Sequence, residues 1–260
     1  MKNQSLRTPS RLLFLPGASG NTAFWQPLAN QLTNPAKKVI LAYPGFGQEP
    51  AAPDVNNIDD LVRMVVSHID RPTALIAQSM GGVIAIRAAL EMPDLVTHLV
   101  LTVTSGGIDT RALGAADWQN GFINANPSFP DWFTSFKADL TDELSRIAQP
   151  VILLWGDADP ISPVAVGQRL LELLHDARLH VVSGGNHDLA HEHASHLASL
   201  VDAHLSRRGA APATALDIAR LDAGRMRMTD FGKVVCPLWG ADSTGRCNTW
   251  NLRDQRRCCK

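Results

Sequence analysis

The sequence predicts an α/β fold in which helices cover both faces of a mainly parallel sheet. Six short apolar runs of strand length occur between residues 12 and 182, and segments with helical periodicity lie between most of them. Strands that alternate with helices form βαβ units with right-handed crossovers, and these units place the strands parallel. The six runs are residues 12–15, 39–42, 74–77, 99–103, 151–155 and 179–182.

Length and composition indicate one large domain followed by a tail of different character. The chain has 260 residues, of which 45% are hydrophobic and 19% charged; this is ordinary for a globular protein and excludes a fibre or a membrane bundle. Residues 1–206 carry 13 Lys and Arg against 20 Asp and Glu, whereas residues 207–260 carry 11 against 5. We therefore predict an α/β domain over residues 1–206 and a basic tail over residues 207–260.

The start of the chain and its cysteines indicate the compartment. The apolar run at residues 12–15 is too short for the core of a signal peptide, and no stretch approaches the roughly 18 apolar residues of a membrane-spanning helix. The α/β domain contains no cysteine and hence no disulfide, which is typical of a reducing compartment. We expect a cytoplasmic protein without a membrane partner. The cysteines are all in the tail: Cys236, Cys247, Cys258 and Cys259.

Two helices are especially well marked. Residues 58–69 place their apolar side chains on one stripe, and Asn57 precedes them as a candidate N-cap. A second helix is predicted after the fifth apolar run, with Ser162 as its cap and Pro163 in its first turn.

Residues 73–92 contain the most informative turn of the chain. An apolar run ends at Ala77, Ser79 follows, and after Gly81 apolar residues recur at helical spacing, which predicts a strand, a sharp turn and a helix. In such a turn the serine has strained dihedral angles and an accessible hydroxyl, while Gly81 lets the helix pass close to the strand. A nucleophilic serine is one interpretation of this turn, although A-x-S-x-G alone is a weak motif. An ordinary loop that happens to contain serine is the alternative.

Three other predicted strand ends carry residues that can take part in binding or catalysis. Gly17 and Ala18 follow the first run, where backbone N–H groups can bind an anion; a phosphate loop is not favoured, because neither G-x-G-x-x-G nor G-x-x-x-x-G-K occurs. Asp157 and Asp159 follow the fifth run, and His187 follows the sixth. Because the carboxyl ends of parallel strands meet at one edge of the sheet, we expect the serine, a carboxylate and the histidine to lie close together.

The order serine, aspartate, histidine, with each residue in a loop after a strand, resembles the serine hydrolases of the α/β-hydrolase fold family. Within that family the chain looks most like small bacterial carboxylesterases with a short cap, the group that includes the pimeloyl-ester carboxylesterase. The resemblance implies that Ser79, in QSMGG, is the nucleophile and that His187 is the general base. The family pattern G-x-x-D selects Asp159 over Asp157 as the acid.

The resemblance also implies an oxyanion hole made by the backbone N–H groups of Ala18 and Met80. The implied reaction is hydrolysis of a small carboxylic ester with a short- to medium-length acyl chain, or of a thioester, through an acyl-enzyme and without a metal or organic cofactor. The family's first antiparallel strands are expected to be missing. The alternatives are C–C bond hydrolysis, a lyase or haloperoxidase-type reaction on the same triad, and a non-catalytic protein that binds a ligand.

Residues 105–147 interrupt the alternation of strands and helices. They contain no strand-like run and are rich in aromatic side chains, which predicts a short helical cap inserted at the active-site end of the sheet. Such a cap presents an apolar wall to a substrate. The candidate pocket residues are Trp25, Trp118, Phe122, Phe129, Trp132 and Phe133.

Metal and nucleic-acid binding are not favoured by the sequence. His187 and His191 are four residues apart, but Ser195 stands where H-E-x-x-H would require a second histidine, so no metal site is predicted. The tail has no C-x-x-C pair for zinc and lacks the interleaved aromatic residues of a nucleic-acid-binding arm. We expect the tail to be a disordered extension or a segment that is not native coding sequence.

Overall fold

A computed structural model describes residues 8–125, 129–130, 132–133, 136–137 and 139–207. Its strands are β1 (Arg11–Leu15), β2 (Lys37–Ile40), β3 (Thr73–Gln78), β4 (Val96–Thr102), β5 (Val151–Gly156) and β6 (Ala177–Val182). They form one sheet in the order β2-β1-β3-β4-β5-β6, and every neighbouring pair is parallel.

Each of the six apolar runs contributes a strand, as predicted. In β3, β4 and β5 every residue is buried, because helices cover both faces of a parallel sheet and neither face of these strands contacts solvent. The edge strand β2 is less apolar and begins two residues earlier than predicted. The bounds of β2 are set by its pairing with β1 and not by its apolar residues alone. This pairing begins with Lys37 opposite Arg11.

In the described part of the chain the helices are α1 (Gln26–Gln31), α2 (Ile58–Ser67), α3 (Met80–Glu91), α4 (Gln119–Ala125), α5 (Val164–Leu173), α6 (Leu189–Glu192) and α7 (Ala194–Leu205), and residues 132–133 are also helical; the 3₁₀ turns are Thr22–Trp25, Arg111–Leu113 and Leu144–Arg146. Helices α1 to α5 and these turns lie between strands, whereas α6 and α7 follow β6. The sheet reverses its direction of growth at β1, so right-handed crossovers send α1 to one face and α2 to the other. Accordingly, α1 packs against α7, and α2 packs against α3.

One predicted helix cap is confirmed and the other is wrong. Asn57 caps α2 by accepting the Asp60 N–H at 3.1 Å, and the Asp60 carboxylate in turn accepts the Asn56 N–H at 2.7 Å. Ser162 does not cap α5, which begins at Val164. The Ser162 hydroxyl instead donates to the carbonyl oxygen of Thr104 at 3.4 Å, because it faces the end of β4.

The strand order determines where a ligand can bind. The connections leaving β1 and β3 diverge to opposite faces of the sheet, and this opens a crevice beyond the carboxyl ends of the two strands. Gly17 and Ser79 follow these two ends. The loops after β5 and β6 reach the same edge of the sheet, so all four loops singled out in the sequence meet there.

The described residues of 105–147 contain the two later 3₁₀ turns and α4, and no strand. No helix in the described part of the chain is long and apolar enough to span a membrane. Residues 208–260 lie outside the described residues, as do the four cysteines, so the expectations for the tail stay predictions.

Candidate active site

Ser79 occupies a strained turn between β3 and α3. Its dihedral angles, φ 52° and ψ −119°, lie where a residue with a Cβ is rarely found. Three hydrogen bonds hold this conformation: the Ser79 N–H donates to the Thr102 carbonyl (3.0 Å), and the Ser79 carbonyl accepts from the Gly82 N–H (2.9 Å) and the Thr104 hydroxyl (2.6 Å). The strained dihedrals expected from the sequence are therefore confirmed.

Gly81 allows the close packing that the sequence suggested, but its neighbour is a different strand. A Cβ at this position would lie 2.6 Å from the Pro16 carbonyl oxygen and 2.7 Å from that of Leu15, at the end of β1. Such distances are not tolerated, so only glycine lets the first turn of α3 rest on the loop after β1. Ser79 is thereby brought next to Gly17 and Ala18.

Asp159 and His187 form a buried hydrogen-bonded pair. Asp159 Oδ2 lies 2.7 Å from His187 Nδ1; the Asp159 side chain is fully buried and that of His187 is about one-fifth exposed (21%). The other carboxylate oxygen of Asp159 accepts the N–H groups of Ile161 at 2.8 Å and Ser162 at 3.2 Å. A proton on Nδ1 that is donated to the carboxylate leaves Nε2 free to accept one.

The second candidate carboxylate has another role. Asp157 is exposed, and its Oδ1 accepts the Gly184 N–H at 2.6 Å, so it braces the loop after β6. The two loops also meet through their backbones, since a Cβ on Gly156 would collide with the carbonyl of Gly185. Of the two aspartates, Asp159 is the one that meets His187.

The backbone donors expected near the serine are available. The N–H groups of Ala18 and Met80 donate to no acceptor in the described part of the chain, whereas the neighbouring Gly17 N–H donates to Gln78 Oε1 at 3.0 Å. Gln78 Nε2 also donates to the carbonyl oxygen of His187 at 3.2 Å. Sequence reasoning missed Gln78; the signal was a polar amide at the end of a buried strand, which must find partners.

Ser79 and His187 lie in adjacent loops without a direct hydrogen bond. Gln78, the residue before Ser79, contacts His187, yet within the described residues no hydrogen bond joins Ser79 Oγ to the imidazole. Hydrogen bonds between a nucleophile and its base are often long before a ligand binds and shorten in the complex, so the arrangement is compatible with proton transfer.

Five of the six candidate pocket residues belong to one aromatic cluster. Phe46, from the loop after β2, lies edge-on to Phe129, Trp132 and Phe133, with ring centroids 5.4 to 5.8 Å apart. The cluster extends through Phe122, which is 4.9 Å from Phe129, to Trp118, which is 5.7 Å from Phe122. The sequence predicts a tight turn at residues 43–47, but Phe46 was not among the six candidate pocket residues; it lies between Gly45 and Gly47, which both have positive φ.

Trp25 lies apart from this cluster. Its ring is fully buried at the start of α1 and packs against Phe24, with ring centroids at 4.8 Å, and against Phe14, at 5.6 Å. His191 anchors the same turn, because its Nδ1 lies 3.1 Å from the carbonyl oxygen of Phe24. A place for Trp25 in a substrate pocket stays a prediction. Among the residues that the structure describes, no three His, Cys, Asp or Glu side chains come together as metal ligands.

The chain matches a protein-family model and is similar in sequence to several named groups of proteins. Residues 10–143 match the model of the α/β hydrolase fold family. A putative carbamate hydrolase, RutD, of Variovorax paradoxus is 27% identical over 68% of this chain and 84% of that protein. A pimeloyl-[acyl-carrier protein] methyl ester esterase of Pseudoalteromonas atlantica is 28% identical over 46% of this chain, which spans half (50%) of that esterase.

Two further similarities widen the range of activities and support the fold. A 2-hydroxy-6-oxononadienedioate/2-hydroxy-6-oxononatrienedioate hydrolase of Burkholderia vietnamiensis is 26% identical over 74% of this chain and 84% of that protein. The crystal structure of a lipase-esterase related protein of Clostridium acetobutylicum superimposes with a TM-score of 0.61 at 18% identity, covering 78% of this chain and 96% of the other. The family match spans more than half of the chain, and the resemblance inferred from the motifs is confirmed: the chain belongs to the α/β hydrolase fold family.

Proposed function

We propose that the protein is a serine hydrolase that cleaves carboxylic esters with short to medium acyl chains, or the corresponding thioesters, through an acyl-enzyme. The observation that carries this proposal is the strained Ser79 at one edge of the sheet, beside a His187–Asp159 pair joined at 2.7 Å. The relatives named as esterases and hydrolases support the same class of reaction.

The first half of the reaction follows from the available donors and acceptors. His187 Nε2 accepts the hydroxyl proton as Ser79 Oγ attacks the acyl carbon, and Asp159 stabilises the imidazolium that forms. The carbonyl oxygen becomes an oxyanion and accepts the free N–H groups of Ala18 and Met80, each worth roughly 3–4 kcal/mol to the transition state. The imidazolium then returns its proton to the leaving alkoxide or thiolate, and the acyl group remains on Ser79.

The second half of the reaction releases the acid. Water gives a proton to His187 Nε2 as it attacks the acyl carbon, the oxyanion forms again in the same place, and Ser79 leaves with the proton returned by the imidazolium. General base catalysis by a positioned histidine contributes about 10²–10⁴-fold to each step. All groups needed for both steps belong to the chain or to the solvent.

Acyl-chain length is the first property to measure. We expect kcat/KM for p-nitrophenyl esters to be highest between acetate and hexanoate and to fall at least about tenfold by palmitate, because a short aromatic cap offers little apolar surface to a long chain. Initial rates across acetate, butyrate, hexanoate, octanoate and palmitate would test this. A rate that rises steadily to palmitate would contradict the proposed chain length, and no turnover of any ester would contradict the ester specificity.

The identity of the acid can be tested with a matched pair of variants. We expect Asp159→Asn to lower kcat by about 10²–10⁴-fold, because an amide cannot hold the same histidine tautomer. Asp157→Asn should lower it less than about threefold, since Asp157 accepts an N–H from Gly184 and does not meet His187. Kinetics with p-nitrophenyl butyrate and circular dichroism of both variants give the comparison. Equal losses in the two variants would contradict the assignment of Asp159.

C–C bond hydrolysis is the second candidate, favoured by the relative from Burkholderia vietnamiensis, which is similar over 84% of its length. A vinylogous diketone and p-nitrophenyl butyrate assayed side by side would separate the two reactions. Cleavage of the diketone with no ester turnover would favour this candidate. A third candidate, a protein that binds a ligand without catalysis, predicts no covalent labelling of Ser79 by a fluorophosphonate.

A further inference from the structure

Gln78 is buried at the end of β3, directly before Ser79, and both the oxygen and the nitrogen of its side-chain amide form hydrogen bonds. It is 5% exposed. Its Oε1 accepts the Gly17 N–H at 3.0 Å, and its Nε2 donates to the His187 carbonyl oxygen at 3.2 Å. The partners fix which end is which, because only an oxygen accepts from an N–H and only the NH₂ group donates to a carbonyl.

The bond to Gly17 determines which backbone donors remain free. With the Gly17 N–H occupied, the next N–H in the loop, that of Ala18, donates to no acceptor in the described residues and lies beside the nucleophile turn. The contact requires glycine, since a Cβ on Gly17 would collide with Gln78 Oε1. Gln78 therefore sets the orientation of the peptide that precedes the oxyanion donor.

The bond to His187 provides a second attachment for the histidine. The imidazole is held at Nδ1 by Asp159, from the loop after β5, while the backbone of His187 is held by Gln78, from β3. These attachments come from two different strands and leave Nε2 uncommitted. One side chain thus connects the loop of the oxyanion donor with the loop of the base, next to the nucleophile.

We propose that Gln78 is a positioning residue that sets the oxyanion loop and the His187 loop relative to Ser79. This inference rests on the proposed hydrolytic function. An error of about 1 Å in the placement of reacting groups costs about 10²-fold in rate, so loss of both hydrogen bonds should reduce kcat and change KM little.

The test compares Gln78→Leu with Gln149→Leu in the full chain. Gln149 is a matched control, because it is also a buried glutamine (2% exposed) and donates to the Pro93 carbonyl at 3.1 Å, away from the four loops. For p-nitrophenyl butyrate we expect Gln78→Leu to lower kcat by about 10–10²-fold with KM within about threefold of wild type, and Gln149→Leu to leave both constants nearly unchanged.

A conservative substitution gives a readout that a purely structural role would not produce. The carboxyl group introduced by Gln78→Glu matches the amide when protonated, with one donor and one acceptor, but loses its donor to His187 when ionised. We therefore expect the ratio of its kcat to that of wild type to fall as the pH rises. The same ratio for Gln78→Leu should be flat, and parallel profiles for the two variants would overturn the inference.

Hydrogen exchange separates failure of this inference from failure of the proposed function. Amides in peptides that cover residues 16–20 and 185–189 should exchange faster in Gln78→Leu and not in Gln149→Leu, whether or not an ester is turned over. Unchanged exchange in both loops, or an unchanged kcat in an active enzyme, would overturn the role of Gln78. Wild-type protein that neither hydrolyses esters nor reacts with a fluorophosphonate would instead overturn the hydrolytic function.

Discussion

Ser79→Ala is expected to lower kcat for p-nitrophenyl butyrate by about 10⁴–10⁶-fold. In the proposed mechanism no acyl-enzyme forms without the hydroxyl, and only weak catalysis of direct attack by water, assisted by the proposed oxyanion donors, would remain. The substitution should not destabilise the fold, since Ser79 is held through its backbone N–H and carbonyl and not through its side chain. Steady-state kinetics and intact-mass analysis after fluorophosphonate treatment would measure both losses.

Ser183→Ala is the matched control for this substitution. Ser183 is an exposed serine that also follows a strand, at the end of β6. We expect it to keep wild-type turnover and a single fluorophosphonate adduct on Ser79. If Ser79→Ala retained turnover, or if the adduct formed on another serine, the nucleophile would have been assigned wrongly.

The free energy of unfolding is expected to fall steeply as the pH drops below about 6.5. Two histidines, His98 on β4 and His204 on α7, are almost fully buried at 1% and 3% exposure, with their rings edge-to-face and centroids 5.3 Å apart. His98 Nε2 lies 2.9 Å from the Arg207 carbonyl oxygen. Burial lowers the pKa of His98. The pKa of His204 is lowered to about 3, mainly by burial and further by the positive charges that His98 and Arg207 can carry.

The direction of the effect follows from where the protons bind. At pH 7 both rings are neutral in the folded protein, because their pKa values are lowered, whereas in the unfolded chain they titrate near pH 6.5. The full contribution to stability is present above about pH 6.5 and is lost as the pH falls towards the folded pKa, which for His204 is about 3. Each histidine adds a slope of up to about 1.4 kcal/mol per pH unit in this interval.

Urea unfolding followed by tryptophan fluorescence at pH 7, 6, 5 and 4.5 would measure this loss. We expect His204→Leu to reduce the slope and to be more stable than wild type at pH 5, because it deletes one group that must stay neutral. His196→Leu changes an exposed histidine on the same helix and should keep the wild-type slope. Equal slopes in the three proteins would show that the buried pair does not control acid unfolding.

The elements that the sequence predicted best are those determined by local pattern. The central strands were found because burial on both faces requires a continuous apolar run, and the turn at Ser79 was found because an abrupt change from strand to helix leaves few residues able to occupy it. Asp159 was preferred to Asp157 by a family pattern alone. Its hydrogen bond to His187 is the physical basis of that preference.

What the sequence did not predict depends on contacts between distant residues. Gln78 meets residues that are 61 and 109 positions away, and Ser162 bonds a carbonyl 58 positions away instead of capping the next helix. Phe46 meets the aromatic residues of the 105–147 segment only because two loops converge at one edge of the sheet. No local periodicity encodes such pairings, since each depends on the whole sheet being assembled.

The backbone contact between Gly156 and Gly185 limits which insertions this chain can accept. Because the two loops touch without intervening side chains, a residue inserted in either one would move the Asp159 carboxylate relative to the His187 imidazole. In the described part of the chain, residues 105–147 make no hydrogen bond with either of these side chains. Under the proposed function, exchange of this segment would change the surface that recognises the acyl group without removing a hydrogen bond from the Asp159–His187 pair. The segment does reach the loop after β5 through its backbone, where the Ala116 N–H donates to the Pro160 carbonyl at 2.8 Å.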